Sequence, residues 1–276
     1  MRVIEFNDEE FPESLRNLKK TPNRLYFQGN INILNQNGIA VIGTRECSEY
    51  GRRWCEKFVK ELLEYDLVVI SGMARGIDTI AHKTALKYGG KTIAVLPSGF
   101  NNIYPKENLE LYEQIIANDG LIISEYMPEI ESSSNRFLER NRIVSGLSIG
   151  TLIIEAEYRS GTGVTARMTK EQGKLVFCIP GSLDNKKSIG TNRLIQNGAN
   201  LVTKVEDIIE NYNLQKKIKI GIKDEILDIL SDKPIDFNEL LKNSNLKINE
   251  FMAKITMLEL EGYIKRLPGN RISKNE

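Results

Sequence analysis

The sequence predicts an α/β fold: an extended Rossmann-like, doubly wound, mainly parallel sheet followed by a small C-terminal winged-helix domain. Short runs of apolar and β-branched residues recur from residue 39 onward, and amphipathic helical stretches separate most of them. The runs are apolar throughout, as parallel strands are when helices cover both faces of the sheet. The length of 276 residues, at about 150 per domain, indicates one large domain and a small one.

Seven strands and six helices follow from this pattern. The predicted strands are Ile39–Gly43, Leu67–Ile70, Thr92–Leu96, Leu121–Ser124, Thr151–Ile154, Leu175–Ile179 and Leu201–Thr203. The predicted helices are Tyr50–Glu64, Asp78–Tyr88, Glu107–Asn118, Thr165–Gln172, Gly190–Asn197 and residues 205–211. Ligands of such sheets bind beyond the carboxyl ends of the strands, so the loops that follow strands form the candidate site.

Both ends of the chain differ from this core, which we assign to residues 39–212. Residues 1–38 have turn signals but no long periodic segment, so we expect a lead-in that packs on the core. Residues 213–222 are polar and basic, as in a linker. Over 223–276 the pattern predicts a winged helix. Its elements are the helices Asp224–Leu230, Asp236–Leu241 and Ile248–Leu260 and two short strands within Gly262–Ile272.

The composition of the chain argues against several classes of protein. Lys and Arg number 38 and Asp and Glu 37, a formal net charge of +1, so any nucleic-acid site must be a local patch. The only histidine is His82 and the three cysteines form no C-x-x-C pair, so we expect no disulfide framework, metal site or cofactor. No apolar run reaches the ~18 residues of a membrane helix and the N-terminus lacks an export signal, so we expect a cytoplasmic protein with no membrane partner.

Two glycine-rich turns follow the first two predicted strands. The first contains Gly43, Thr44 and Arg45, with Ser48 as a helix cap, and the second contains Ser71, Gly72, Arg75 and Gly76, with Asp78 as the expected N-cap. Such turns present backbone N–H groups and the positive end of a helix dipole to a phosphate. Tight packing and capping would also explain them, and the dinucleotide spacing G-x-G-x-x-G is absent.

Two further segments carry candidate residues. Within 132–148, Arg136, Arg140 and Arg142 alternate with Phe137 and Asn141, and guanidinium groups suit phosphates while an exposed aromatic ring can stack on a base. A Ser-Gly-Thr-Gly turn then leads into a helix after the Thr151–Ile154 strand, and it contains Ser160, Gly161 and Thr165. Glu155, at the end of that strand, is placed to orient an arginine.

Several blocks in this order resemble the DNA-processing protein A (DprA/Smf) family. They are VIGTRECSEYG at 41–51, SGMARGIDTIAH at 71–82, residues 92–99 with Tyr104-Pro105, FLERNRIVSGLS at 137–148, EAEYRSGTGVTA at 155–166, Pro180-Gly181 and NRLIQNGA at 192–199. The resemblance implies a non-enzymatic protein that binds single-stranded DNA and forms a homodimer. It also implies loading of the recombinase RecA onto incoming DNA, with displacement of single-strand DNA-binding protein, during natural transformation.

The resemblance also implies the residues of the DNA groove. They are Gly43, Thr44, Arg45, Ser71, Gly72, Arg75, Gly76, Arg136, Phe137, Arg140, Asn141, Arg142, Ser160, Gly161 and Thr165. Some members carry a lysine where this chain has Ser134, and we expect Arg136 to replace it. The alternative is a nucleotide-processing enzyme like the LOG phosphoribohydrolases, with Glu155 and Arg140 acting on a glycosidic bond. The P-G-G-x-G-T-x-x-E pattern of that group is missing.

Overall fold

A computed structural model of the protein describes residues 1–216, 225–230, 234–244, 246–260 and 263–275. The chain forms two compact units, Met1–Lys216 and Lys217–Glu276. Across the described ranges, every helix is too short or too polar to cross a membrane.

Nine strands form one sheet in the first unit. They are β1 (Arg2–Glu5), β2 (Arg24–Gly29), β3 (Gly38–Ile42), β4 (Val68–Ser71), β5 (Thr92–Val95), β6 (Leu121–Ser124), β7 (Gly150–Ile153), β8 (Leu175–Cys178) and β9 (Asn200–Leu201). The order across the sheet is β1-β2-β6-β5-β4-β3-β7-β8-β9. Neighbours from β6 to β9 pair in parallel, which confirms the predicted mainly parallel sheet.

The lead-in, residues 1–38, does more than pack on the core, because its strands β1 and β2 extend the sheet. The strand β2 pairs antiparallel with β6, with Tyr26 opposite Ser124, and β1 pairs antiparallel with β2. Neither segment has the continuous apolar run of the parallel strands. In the edge strand β1, for example, Arg2 and Val3 are exposed. An edge strand that is covered on one face only lacks the pattern from which the other strands were predicted.

Seven α-helices lie between these strands in the chain, and an eighth follows the last strand. They are α1 (Glu13–Arg16), α2 (Glu49–Leu63), α3 (Ile77–Lys87), α4 (Leu109–Ala117), α5 (Ser134–Leu147), α6 (Gly161–Glu171), α7 (Ile189–Gln196) and α8 (Glu206–Ile209). Ser48 caps α2 as predicted, since its hydroxyl accepts from the Gly51 amide at 3.1 Å. The helix α6 begins four residues before the predicted start at Thr165, with Ser160 in the N-cap position.

The prediction that Asp78 caps α3 is wrong. The chain enters α3 through Gly76, whose φ of +74° a glycine adopts without strain, and the helix begins at Ile77. Asp78 therefore lies inside the first turn, where its carboxylate accepts from the amides of Gly72 at 3.2 Å and Ala74 at 3.3 Å. The side chain thus braces the loop between β4 and α3 instead of capping the helix.

The core lies on both faces of the sheet. Along β3, Ile39 and Val41 pack into a cluster with Phe58 and Leu62 of α2, whereas the alternate residues of the strand belong to a second cluster. That second cluster contains Ile143 and Val144 of α5. Since side chains alternate along a strand, a strand covered on both faces is apolar throughout, as the sequence pattern indicated.

The direction of the chain across the sheet reverses at β3. From β3 the chain moves outward through β4, β5 and β6, and it then returns to the other side of β3 to form β7, β8 and β9. Loops after β3 and β7 therefore lead to helices on opposite faces, which opens a crevice at the carboxyl ends of these neighbouring strands.

The second unit has the helices and hairpin of a winged helix. Its helices are α9 (Glu225–Ile229), α10 (Phe237–Ser244) and α11 (Ile248–Leu260), and its strands are β10 (Ile235–Asp236), β11 (Ile264–Leu267) and β12 (Arg271–Lys274). The hairpin of β11 and β12 was predicted, whereas β10, which pairs with β12, was not. The predicted first residue of α9, Asp224, the linker residues 217–222 and Gly262 lie outside the described residues.

Candidate nucleic-acid interface

A cleft of about 380 Å³, here called the carboxyl-edge cleft, lies where the sheet reverses. It is lined by the loops that follow β3, β4 and β7, by one face of α5 from Phe137 to Val144 and by the first turns of α6. Ten of the predicted residues line it: Gly43, Thr44, Arg45, Gly72, Phe137, Arg140, Asn141, Ser160, Gly161 and Thr165. The structure therefore brings together residues that lie up to 122 positions apart in the chain, from Gly43 to Thr165.

Arg45 and Phe137 form the exposed part of this cleft. The guanidinium carbon of Arg45 lies 4.7 Å from the centroid of the Phe137 ring, and Tyr104 meets the same ring edge-on at 5.6 Å. Arg45 and Tyr104 are exposed, and Phe137 is half-buried. A cation that lies over a ring still has the N–H groups at its edge free for a phosphate.

Arg140 lies beneath the cleft and is buried, with 3% of its surface exposed. One terminal nitrogen, Nη1, donates to the carbonyls of Gly72 and Val95, and Nε donates to the amide oxygen of Asn141 at 3.2 Å. Burial lowers the pKa of Arg140 to about 10, so the group keeps its charge at neutral pH. Burial likewise raises the pKa of Asp78, and the charge of Arg140 opposes that rise.

Gly72 is required beside this arginine. A Cβ atom at Gly72 would lie 2.5 Å from the guanidinium nitrogens of Arg140, which is closer than non-bonded atoms approach. The sequence pattern grouped Arg140 with two other arginines as phosphate ligands. In the structure Arg140 lines the cleft and also ties the ends of β4 and β5 to α5.

Five of the predicted residues do not line the cleft. Arg142 is nearly buried, forms a two-point ion pair with Glu125 at 2.7 Å for each contact, and donates to the Lys20 carbonyl. Ser71 is buried and donates to the Val41 carbonyl at 2.7 Å. These two side chains hold elements of the core together.

The other three lie near the cleft but have other contacts. Arg75 is exposed and forms a two-point ion pair with Glu107. Arg136 donates to the Glu131 carbonyl at 2.9 Å, and Gly76 forms the tight entry to α3. A Cβ atom at Gly76 would lie 2.3 Å from the carbonyl oxygen of Thr44, so close contact between two loops requires this glycine.

The start of α6 supplies uncharged hydrogen-bond donors. The first amides of a helix have no partner within the helix, and Gly161 and Thr162 at this end both line the cleft. The hydroxyl of Ser160 also lines it, is buried and has no hydrogen-bond partner within the described residues. The first turn of α6 contains no acidic residue, so it is open to an anion.

Sequence reasoning missed several residues of the cleft. Glu46, Glu157, Leu138 and Thr162 line it although none was a candidate. The position of Glu46 directly after Arg45, and of Thr162 directly after Gly161, would have been sufficient signals, because neighbours in a tight loop lie at the same sheet edge. The acidic side chains make this cleft less positive than the arginine pattern implied.

Glu155, which the enzyme alternative pairs with Arg140, does not line this cleft, and neither does His82, the only histidine of the sequence. The Glu155 carboxylate is buried and accepts from the amide and the hydroxyl of Ser48 at 2.9 and 2.5 Å. His82 is fully buried, its Nδ1 lies 2.7 Å from the Thr92 hydroxyl, and burial lowers its pKa to about 3. The geometry thus gives Glu155 a bracing role between loops, and it does not support the phosphoribohydrolase alternative.

Comparison with known proteins agrees with this architecture. The family model described as DNA recombination-mediator protein A matches residues 2–213, which is most of the chain. The chain belongs to this family. The resemblance inferred from the sequence blocks is thereby confirmed, and a second model, the winged helix domain of DprA, matches residues 221–270.

Two relatives of this recombination-mediator family illustrate the similarity. Protein Smf of Escherichia coli is 34% identical over 287 residues, which cover 98% of this chain and 76% of that protein. DNA processing protein DprA of Streptococcus pneumoniae is 42% identical over 205 residues, which cover 74% of this chain and 72% of that protein.

Two solved structures of family members share the fold. The crystal structure of Streptococcus pneumoniae DprA has a TM-score of 0.73 at 40% identity and covers 78% of this chain and 75% of that one. DNA processing protein A of Helicobacter pylori has a TM-score of 0.70 at 31% identity and covers 78% of this chain and 98% of that one. The Helicobacter structure is described as showing a single-stranded DNA binding mode of that protein.

Proposed function

We propose that this member of the recombination-mediator family binds single-stranded DNA in the carboxyl-edge cleft and acts as a binding protein rather than as an enzyme. The observation that carries the proposal is Arg45 over Phe137, an exposed cation and a ring that line the same cleft as the open start of α6. The single-stranded DNA binding described for the Helicobacter pylori relative supports it.

The cleft offers two kinds of contact to a strand. A phosphate accepts from the amides of Gly161 and Thr162, where the helix dipole favours negative charge, and from Arg45 at the opening. A base stacks against the surface of Phe137 that Arg45 and Tyr104 leave open, a contact that tolerates any base. Sequence-independent binding follows from this combination of stacking and charge.

Arg140, the buried arginine beneath the cleft, stabilises the lining against which the phosphate contact and the stacking contact are made. Arg140 holds a positive charge under Gly72 and fixes the loop after β4, so the lining is formed before DNA arrives. A preformed cleft loses less conformational entropy on binding than a flexible one. The carboxylates of Glu46 and Glu157 also line the cleft and repel phosphates, so the phosphates of a bound strand lie closer to Arg45.

The family membership extends the proposal to the cellular role. The protein acts in the cytoplasm as a homodimer that loads RecA onto single-stranded DNA and displaces single-strand DNA-binding protein. The test of RecA loading is the rate at which RecA hydrolyses ATP on DNA that is coated with single-strand DNA-binding protein. We expect addition of this member of the recombination-mediator family to raise that rate. An unchanged rate would contradict the loading role.

Salt-dependent affinity tests the central proposal. Binding of a fluorescent oligo-thymidine is measured by anisotropy at several salt concentrations. The logarithm of the association constant falls with the logarithm of salt by about 0.7 per phosphate contacted, and Arg45→Ala weakens binding and reduces that slope by about 0.7.

The matched control is Arg53→Ala. Arg53 is also an exposed arginine over aromatic rings, 6.0 Å from Tyr50 and 5.9 Å from Trp54, but it lies on α2 away from the cleft. The control variant binds like the unmodified protein. Binding that is insensitive to salt, or equal losses in both variants, would contradict the proposal.

A further inference from the structure

Tyr158 lies in the loop between β7 and α6, at the margin of the carboxyl-edge cleft. Its chain neighbours Glu157 and Ser160 line the cleft, whereas Tyr158 itself does not, and half of its side chain is exposed. The guanidinium carbon of Arg193, on α7, lies 4.1 Å from the centroid of the Tyr158 ring, and that of Arg159 lies 5.1 Å from it. An exposed ring in contact with two cations thus stands beside the proposed DNA site.

The two arginines differ from those on the other side of the cleft. Both are exposed, and within residues 1–216 neither forms an ion pair with a carboxylate, whereas Arg75 and Arg142 do. Contact with a ring occupies the face of a guanidinium group and leaves its N–H edge available. The N–H groups of Arg159 and Arg193 are therefore open to phosphate oxygens.

The loop after β8 joins this position to the cleft. The strands β7 and β8 are neighbours, so the loops that follow them lie side by side at the carboxyl edge. The amide of Ala156 donates to the Lys187 carbonyl at 2.8 Å, and the amide of Gly190 donates to the Ala156 carbonyl at 2.7 Å. These bonds hold the start of α7, and with it Arg193, against the loop that carries Tyr158.

Charge favours an anion at this position. Apart from the buried Glu155, whose carboxylate is held by Ser48, the two loops and the first turns of α7 carry Arg159, Lys186, Lys187 and Arg193 against Glu157 and Asp184. Because the formal net charge of the chain is only +1, this local excess of two positive charges is a feature of this edge and not of the whole surface.

We propose that Tyr158, Arg159 and Arg193 form a second nucleotide-binding position, which receives the DNA strand where it leaves the cleft. A base stacks on the open surface of the Tyr158 ring, and the two guanidinium groups bind the adjoining phosphates. The strand then crosses the sheet from β3 over β7 toward β8, at right angles to the β-strands. This inference rests on the proposed function, since it extends the same DNA path.

Oligo-thymidines of increasing length, from about 4 to 16 nucleotides, test the second position. The shortest strands fill the cleft alone, so Tyr158→Ala binds them like the unmodified protein. Longer strands bind Tyr158→Ala about tenfold more weakly than the unmodified protein, because one stacking contact is lost. Tyr158→Phe keeps the ring and binds long strands normally.

Tyr88→Ala is the matched control. Tyr88 is 44% exposed and lies near two cations, Lys60 at 5.2 Å and Lys87 at 5.5 Å, but it follows the C-terminal end of α3, at the opposite edge of the sheet. Its removal leaves binding unchanged at every length. A loss in Tyr88→Ala equal to that in Tyr158→Ala would overturn the second position.

The cleft variant separates failure of this inference from failure of the proposed function. If Arg45→Ala weakens binding at all lengths while Tyr158→Ala binds long strands normally, the second position is wrong and the proposed function stands. If neither variant weakens binding at any length, both are wrong. If Arg45→Ala weakens binding at all lengths and Tyr158→Ala weakens the binding of long strands only, both the proposed function and the second position are supported.

Discussion

The arginines on the two sides of the carboxyl-edge cleft are held in different ways. On the side of β4, β5 and α5, each arginine has polar partners in the protein. Arg75 pairs with Glu107, Arg142 pairs with Glu125, and Arg140 donates to backbone carbonyls.

On the side of β3, β7 and α7 the contacts are with rings. Arg45 lies over Phe137, and Arg159 and Arg193 lie over Tyr158. A guanidinium group over a ring keeps its N–H groups free, whereas an ion pair with a carboxylate occupies them. Under the proposed function, the arginines of the first side therefore have a structural role and those of the second side contact DNA.

The largest expected effect that tests this division is on stability, in Arg140→Ala. Removal of a buried cation leaves two carbonyls and the charge of Asp78 without compensation, and we expect the free energy of unfolding to fall by about 3 to 5 kcal/mol. Urea denaturation measures it, with Arg136→Ala as a control that changes stability by about 0.5 kcal/mol. A variant as stable as the unmodified protein that only loses DNA affinity would make Arg140 a DNA ligand.

A smaller effect is expected for Arg142→Ala. Its ion pair with Glu125 is mostly buried, so loss of the charged hydrogen bonds lowers the free energy of unfolding by about 1 to 3 kcal/mol. Affinity for single-stranded DNA stays unchanged, because Arg142 does not line the cleft. A double-mutant cycle with Glu125→Ala measures the coupling, and a loss of DNA affinity without loss of stability would reverse the assignment.

The smallest effect is expected for Glu107→Gln. This change frees the exposed Arg75 at no cost in stability, so single-stranded DNA binds about two- to fivefold more tightly at low salt and the salt slope increases by about 0.7. The control Glu110→Gln removes the same charge from α4 without touching an arginine. Equal gains in both variants would show that net charge alone is responsible.

The sheet and its ligand edge were predictable because their signals are local. Apolar runs marked β3 to β8, and the rule that ligands lie beyond strand ends then brought together the turns at Gly43, Gly72 and Ser160. The strands β1 (RVIE) and β2 (RLYFQG) were missed because polar residues interrupt both, so neither has the continuous apolar run of the parallel strands.

The roles of individual arginines could not be predicted in the same way. Arg75 meets a carboxylate 32 positions away and Arg140 a carbonyl 68 positions away, and nothing near either residue in the sequence indicates these partners. The contact of Tyr158 with Arg193 could not be predicted from the sequence either, because it depends on how α7 packs beside the loop after β7.

The spread of the cleft along the chain also has a consequence for synthesis. Its lining extends from Ile42 to Thr165, and its two central strands, β3 and β7, pair residues as far apart as Ile39 and Gly150. At roughly 5 to 20 residues per second, a ribosome needs roughly 6 to 25 seconds to pass from one end of this lining to the other. Until β7 pairs with β3, a nascent chain lacks the part of the lining that follows β7, which includes the open start of α6, so the proposed capacity to hold DNA arises late in synthesis.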